Sequence, residues 1–270
     1  MIKLIVADMD GTLLNSKKEL PARTFEIIDQ LKEQGIIFAV ASGRQSQSLL
    51  RIYDDIKDKI IIVADNGGTV FDSGELIFND FMDLEDVREI VEAVEAIPRV
   101  KITICGLQSA YMFGDDLLQE ISHDLVKDYF PVYTVINNLD ELSTDEQVVK
   151  LAIFDPEYNA KVNIYEKLKY LEEKYQIAVS SIEWTDIMNA GMNKGLAIQK
   201  LQERFNITIA ETMAFGDEKN DYEMMQQAYY SYAMANAIPE IKKISNFITL
   251  SNDEQGVIKV LEELLEKIRM

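Results

Sequence analysis

Three short apolar runs, residues 2–7, 36–41 and 60–64, each break into a polar or glycine-rich turn. Those turns read Asp8-Met9-Asp10-Gly11-Thr12, Ser42-Gly43-Arg44 and Asp65-Asn66-Gly67-Gly68. A brief, unbroken apolar stretch between turn signals fits a strand buried on both faces. Helical stretches separate the runs. Residues 21–34 carry Phe25, Ile28 and Leu31 at helical spacing and stop at Gly35. Strands alternating with helices predict an α/β fold built on a doubly wound parallel sheet. Ligands of such sheets bind beyond the carboxyl ends of the strands, where Asp8 and Ser42 both lie.

The first of these turns carries the most chemistry. Carboxylates two residues apart on a nearly extended chain can face one side and share a cation. A glycine lets backbone approach a phosphate closely, and a threonine hydroxyl can bond a phosphoryl oxygen. That is the equipment of phosphoryl transfer through an aspartate. Taken alone, the same five residues also make an ordinary surface turn.

From about residue 83 the pattern changes. Residues 86–97, 117–130 and 160–175 are expected to be helical. Expected strands are 100–105, 110–113, 148–154, 177–180 and 184–188. Helices mixed with adjacent strand pairs predict an inserted α+β layer over 83–187, within a core made of 1–82 and 188–270. Alternation then resumes with a helix over 194–205, a strand over 212–215 ending in Gly216-Asp217, strands near 229–233 and 247–250, and a helix over 256–268.

Composition narrows the function classes. The net charge is −20, and residues 83–187 hold −13 of it. Nucleic acid and anionic membrane both demand basic surface, so neither is an expected partner. An anionic substrate would need local compensation from a metal or a lysine. Cys105 is the sole cysteine and His123 the sole histidine. That removes intrachain disulfides, thiolate metal clusters, Ser-His-Asp and Cys-His catalysis and multi-histidine zinc sites, and leaves carboxylates. The first residues show no signal-like apolar core and no stretch approaches a membrane span, so a cytoplasmic protein is expected.

Four segments then fall in order: Asp8–Thr12, Ser42-Gly43-Arg44, Lys194-Gly195 and Gly216-Asp217-Glu218-Lys219-Asn220-Asp221. Together they resemble the four motifs of the haloacid dehalogenase superfamily. Their spacing is most similar to the Cof-type phosphatases, which carry a large α/β cap between the second and third motifs. Ala233-Met234-Ala235-Asn236-Ala237 and residues 252–257 match the tail of that subfamily.

The resemblance implies an Mg²⁺-dependent phosphatase acting on a small phosphorylated metabolite, a sugar phosphate or a nucleotide or cofactor phosphate. Asp8 would be the nucleophile and Asp10 the acid and base. Metal ligands would be Asp8, the Asp10 backbone carbonyl and Asp217. Thr12, Ser42, Gly43, Lys194 and Asn220 would hold the phosphoryl group, with Arg44 and Asp221 in support.

Each residue also has a plainer reading. Lys194 alone could be a solvated lysine, Asn220-Asp221 a helix cap, Arg44 a surface ion pair and Asn66-Gly67-Gly68 a turn. His123 and Cys105 read as structural. Two departures from the family pattern, Ala228-Tyr229-Tyr230-Ser231-Tyr232 and Ala235, lie outside the four motifs. Two other functions are phosphomutase-type transfer to a sugar hydroxyl, which the first motif does not separate from hydrolysis, and a phosphometabolite-binding sensor with negligible turnover, against which the Asp8/Asp10 pair argues.

Overall fold

The computed structural model describes residues 1–114 and 123–269. In chain order, β1 (Leu4–Asp8), α1 (Thr24–Glu33), β2 (Ile37–Ala41), α2 (Ser46–Ile52) and β3 (Ile61–Ala64) come first. Strands β4 (Thr69–Asp72) and β5 (Glu75–Asn79) and helix α3 (Leu84–Glu95) follow. Next come β6 (Lys101–Gly106), β7 (Ala110–Phe113), α4 (His123–Tyr129), β8 (Tyr133–Ile136), β9 (Val148–Phe154), β10 (Tyr175–Val179) and β11 (Trp184–Asn189). The chain ends with α5 (Lys194–Phe205), β12 (Thr212–Gly216), α6 (Tyr222–Gln226), β13 (Tyr230–Ala233), α7 (Pro239–Ile244), β14 (Phe247–Ile248) and α8 (Gly256–Arg269).

Among the described residues, the strands form two sheets, ordered β14-β13-β12-β1-β2-β3-β4-β5 and β10-β11-β9-β6-β7-β8. Contacts divide the chain into two compact units. One comprises Met1–Ser42, Tyr53–Ile77 and Asn193–Met270; the other comprises Gly43–Ile52 and Phe78–Met192. The second unit thus starts and ends five residues outside the insertion expected over 83–187, and it also includes α2.

In the first sheet β1 lies between β12 and β2, parallel to both, and all five of its residues are buried. That burial on both faces explains why its sequence is continuously apolar rather than alternating. The register fixes the site: Asp8 pairs with Ala41, and Ala7 with Phe215. The carboxyl ends of β1, β2 and β12 are therefore level, with Asp8, Ser42 and Asp217 along one edge of the sheet.

Helix α1 departs from its expected face. Thr24, Ile27, Ile28 and Leu31 are buried, whereas Phe25 is exposed. The buried set follows the i, i+3, i+4, i+7 pattern of one helix face; a strict three-residue spacing through Phe25 drifts off it. The helix begins at Thr24 rather than at residue 21, because Pro21 opens a turn closed by the Thr24 N–H on the Pro21 carbonyl at 3.0 Å. It ends at Gly35 as expected, with Gly35 N–H on Lys32 O at 2.9 Å and Ile36 N–H on Leu31 O at 3.0 Å.

Strands β4, β5 and β8 were not expected. The first two follow the polar turn after β3, with β4 antiparallel to β3. They meet at Ser73-Gly74, both with positive φ, a hairpin signal that the sequence carries.

In the second unit, one face of the sheet is covered by α3, through Val87, Ile90, Val91 and Val94, and by Ile164, Leu168 and Leu171. The latter come from the expected helix over 160–175, which is resolved into successive π, α and 3₁₀ turns over 161–173. On the other face Cys105, Ala110, Met112, Ala152, Phe154 and Trp184 pack with Val126 and Phe130. Cys105 is buried there as a small apolar residue. Only the part of the expected 117–130 helix from His123 onward is described, and the His123 side chain lies outside the described residues. Among the described residues, no helix is long and apolar enough to cross a membrane.

The start of β12 is tied to the strand beside it by Glu211. Its carboxylate accepts from Thr208 in a capping box and pairs with Lys3 at 2.7 Å. The Lys3 ammonium and the Thr208 donors hold the Glu211 carboxyl at about 2, below its ordinary 4.5. A depressed folded-state value means that this contact stabilises fully above the unfolded value and loses its effect as pH falls through the folded one. Glu211→Gln should therefore be less stable than wild type near neutral pH in denaturant titrations. The difference should vanish as pH approaches 2.

Candidate active site

The first unit gathers its charged residues at the strand ends. Asp8 closes β1, Asp217 follows β12, and Asp221 ends the short 3₁₀ turn Lys219–Asp221. Lys194 opens α5, whose N-terminus is capped by Asn193 through its side-chain oxygen and the Leu196 N–H at 2.9 Å. This start directs the lysine inward, and it has no solvent exposure. Its ammonium donates to Asp8 Oδ1 at 2.6 Å and to Asp221 Oδ1 at 2.7 Å. The other Asp221 oxygen accepts from the backbone N–H groups of Asp217, at 2.9 Å, and Glu218, at 3.1 Å.

Asp8, Asp217 and Asp221 each place one carboxylate oxygen within 4.8 Å of the others, all buried. Three carboxylates facing one ammonium leave positive charge in short supply. Burial, then repulsion from Asp221 and Asp217, pushes Asp8 well above the ordinary carboxylate range against the pull of Lys194. Burial and Asp221 likewise push Asp217 up to about 7, against the Thr12 hydrogen bond. For Lys194, burial favours the neutral amine, but Asp221 and Asp8 outweigh it and hold the ammonium form.

Around this cluster the neighbouring residues brace the first loop. The Thr12 hydroxyl donates to Asp217 Oδ1 at 2.7 Å. Asn236 Nδ2 donates to the Gly11 carbonyl at 2.8 Å, and Asn236 Oδ1 accepts from the Asn252 N–H at 3.1 Å. Asn252 Nδ2 in turn donates to the Leu14 carbonyl at 2.9 Å. The family-like tail segments thus hold the loop that carries Asp8 and Asp10. The sequence flagged those segments, but gave Asn236 and Asn252 no role, because an amide at a turn has no distinguishing pattern.

Asp10 lies outside the cluster, its Oδ1 accepting from Lys18 Nζ at 2.6 Å. Lys18 has no motif to mark it. Asn220 donates to Asn66 Oδ1 at 3.0 Å, linking the last motif to the turn after β3. Ser42 is buried, its N–H on the Val63 carbonyl at 2.9 Å and its carbonyl accepting from the Asn66 N–H at 3.0 Å. Gly43 and Arg44 fall in the second unit, where the Arg44 guanidinium lies over the Tyr129 ring, 5.0 Å from its centroid.

Two glycines are fixed by space. At Gly11, φ is +85°, and a Cβ would sit 2.3 Å from Asp217 Oδ2. At Gly195 a Cβ would sit 2.5 Å from the Glu223 backbone, so the second residue of the Lys194-Gly195 pair serves the close packing of α5 on the Glu223 backbone.

The sequence matches the haloacid dehalogenase-like hydrolase family over residues 5–261. The chain belongs to this family. It is a phosphatase, a phosphoric monoester hydrolase, with the α/β parallel-sheet core of that fold. Similar proteins include the 5-amino-6-(5-phospho-D-ribitylamino)uracil phosphatase of Escherichia coli strain K12, 31% identical over 98% of this chain and 97% of the relative. A Bacillus subtilis phosphatase of the same description is 29% identical over 98% of each chain. Among solved structures, SMU.1108c from Streptococcus mutans UA159 superposes with a TM-score of 0.88 at 31% identity, covering 98% of this chain and 100% of the other. A haloacid dehalogenase-like hydrolase from Bacteroides thetaiotaomicron gives 0.84 at 27%, covering 98% and 100%.

Gly11→Ala should place a methyl group against the Asp217 carboxylate. We expect a loss of about 10²-fold in kcat/KM, the scale of an ångström-sized displacement of reacting groups. Circular dichroism should show the fold retained.

Proposed function

We propose that this phosphatase hydrolyses monoesters of small phosphorylated metabolites through an aspartyl-phosphate formed on Asp8. The observation that carries the reading is the buried bridge of Lys194 between Asp8 and Asp221, with Asp217 beside it. It supports the reading by setting the buried Asp8 carboxylate beside a fixed ammonium and two further carboxylates.

The donor set fits Mg²⁺. It offers hard carboxylate oxygens, no sulfur or imidazole, and a local excess of negative charge. Asp8, Asp217 and the Asp10 backbone carbonyl would hold the ion, with Asp221 in support. When bound, Mg²⁺ supplies the positive charge that lets a carboxylate approach a phosphate dianion.

The protein's own groups then divide the work. A carboxylate oxygen of Asp8 attacks phosphorus, and the bond from phosphorus to the ester oxygen breaks. The departing oxygen takes its proton from the Asp10 carboxyl. Asp10 next takes a proton from water, whose oxygen attacks phosphorus, releasing phosphate and restoring the Asp8 carboxylate. The pairing of Asp10 with Lys18, away from the three clustered carboxylates, supports a proton-handling side chain free of metal duty.

Lys194 neutralises the phosphoryl group as it moves, and Ser42 with the Gly43 amide binds its oxygens. Because the Thr12 and Asn220 side chains donate to Asp217 and Asn66, we assign both to orienting those partners. Residues 83–187 select the substrate, and Arg44 belongs with that function. Phosphorylated sugars and nucleotide-like metabolites form the substrate class, and 5-amino-6-(5-phospho-D-ribitylamino)uracil, named for two relatives, lies within it.

Asp8→Asn should abolish phosphate release from a metabolite panel while circular dichroism shows the fold retained. Appreciable residual turnover would exclude Asp8 as the nucleophile. Asp10→Asn should slow turnover by about 10²–10⁴-fold and retain phosphate binding. Removal of divalent ions by a chelator should stop turnover. Adding Mg²⁺ back should restore it and raise the wild-type melting temperature, but raise that of Asp217→Asn much less. An equal rise in both would remove Asp217 from the metal site.

A further inference from the structure

The second unit contains a buried ion pair that the proposed chemistry does not use. Lys150 lies in the middle of β9, paired with Cys105 across the sheet, and both it and Asp186 on β11 are almost fully buried. The Lys150 ammonium donates to Asp186 Oδ1 at 3.0 Å, and the Ser180 hydroxyl donates to the other Asp186 oxygen. Desolvating such a pair is costly, and apolar residues of similar volume commonly stabilise a fold as well. Stability alone therefore does not account for placing a lysine here.

Its second contact does. Lys150 Nζ donates to the Gly43 carbonyl at 2.6 Å, a charge-assisted bond to the backbone of the second motif. The preceding carbonyl, of Ser42, is already held by the Asn66 N–H at 3.0 Å. Two successive carbonyls of this loop are thus fixed, one by backbone and one by Lys150. Because each peptide unit is planar, the bond on the Ser42 carbonyl sets the direction of the Gly43 N–H, and the bond from Lys150 holds the peptide plane on the other side of Gly43. Asp186, anchored by Ser180, fixes the direction of the lysine in turn.

We infer that Lys150 is a positioning residue for phosphoryl binding, acting through the Gly43 carbonyl and oriented by Asp186 and Ser180. The inference rests on the reading of Ser42 and Gly43 as the phosphoryl-binding loop. It assigns to the inserted region a part in the chemistry common to every substrate, beyond the choice among substrates.

The test compares wild type with Lys150→Met, Lys150→Arg and the double variant Lys150→Met/Asp186→Asn, which leaves no unpaired buried charge. Orthophosphate affinity in Mg²⁺ is measured by calorimetry, and kcat and KM are measured on p-nitrophenyl phosphate, whose leaving group makes no metabolite-specific contacts. Lys150→Met and the double variant should lose about 10–100-fold in kcat/KM, with orthophosphate affinity falling in parallel. The melting temperature of the double variant should stay near wild type, and Lys150→Arg should restore part of the loss. If Lys150→Met fails to fold, the double variant decides. A folded double variant with wild-type orthophosphate affinity and turnover would overturn the inference while leaving the phosphatase reading intact. Wild-type protein that does not turn over the ester would sink that reading and this inference together.

Discussion

Lys194 keeps a full positive charge inside the protein by sharing it between Asp8 and Asp221, and the rest of the site is organised around that triad. The three residues come from β1, from the start of α5 and from the turn beyond β12, so the ion triad ties together segments distant in sequence. Removing one member of a buried pair commonly costs about 3–5 kcal/mol, because its partner is left charged and unsolvated. None of the three can therefore drift independently. Asp221 also accepts from the Asp217 and Glu218 backbone, so the same triad sets the path of the loop that presents Asp217.

The parts of this arrangement that were legible in the sequence share a physical origin. Strands buried on both faces must be continuously apolar, so β1, β2 and β3 stood out, and their ends located Asp8 and Ser42. Gly35 marked the end of α1 because the backbone there requires a positive φ. Other parts left a weaker trace or none. β4 and β5 are short strands that follow a polar turn, and β8 is largely solvent-facing. Phe25 matched helical spacing, yet the buried face centres on Ile27, Ile28 and Leu31. Asn236 and Asn252 act through hydrogen bonds made across the fold, and Lys18 through its bond to Asp10, none of which a local pattern encodes. The Thr12 hydroxyl and the Asn220 amide carry the right chemistry for phosphate, and each also donates a hydrogen bond within the protein, to Asp217 and to Asn66.

A net charge of −20 sets the electrostatic problem for a phosphatase. A phosphate monoester approaches against the field of the whole chain. Lys194, Lys150 and Arg44 all have little solvent exposure, where a charge acts through a lower effective dielectric than at the surface. The surface lysines, paired with neighbouring carboxylates, contribute much less.

Helix α2 belongs to the core by chain order, between β2 and β3, but its contacts lie elsewhere. Gln45, Gln47 and Ser48 donate to the carbonyls of Gly106, Leu107 and Asp128, and Leu49 is fully buried. Residues 43–52 and 78–192 therefore form one packing unit written in two pieces of sequence. Exchange of this region between related phosphatases cannot be achieved by splicing a single continuous segment. A transplanted insert must bring its own version of residues 43–52, so the two pieces are constrained to change together even though some twenty-five residues of core separate them in the chain.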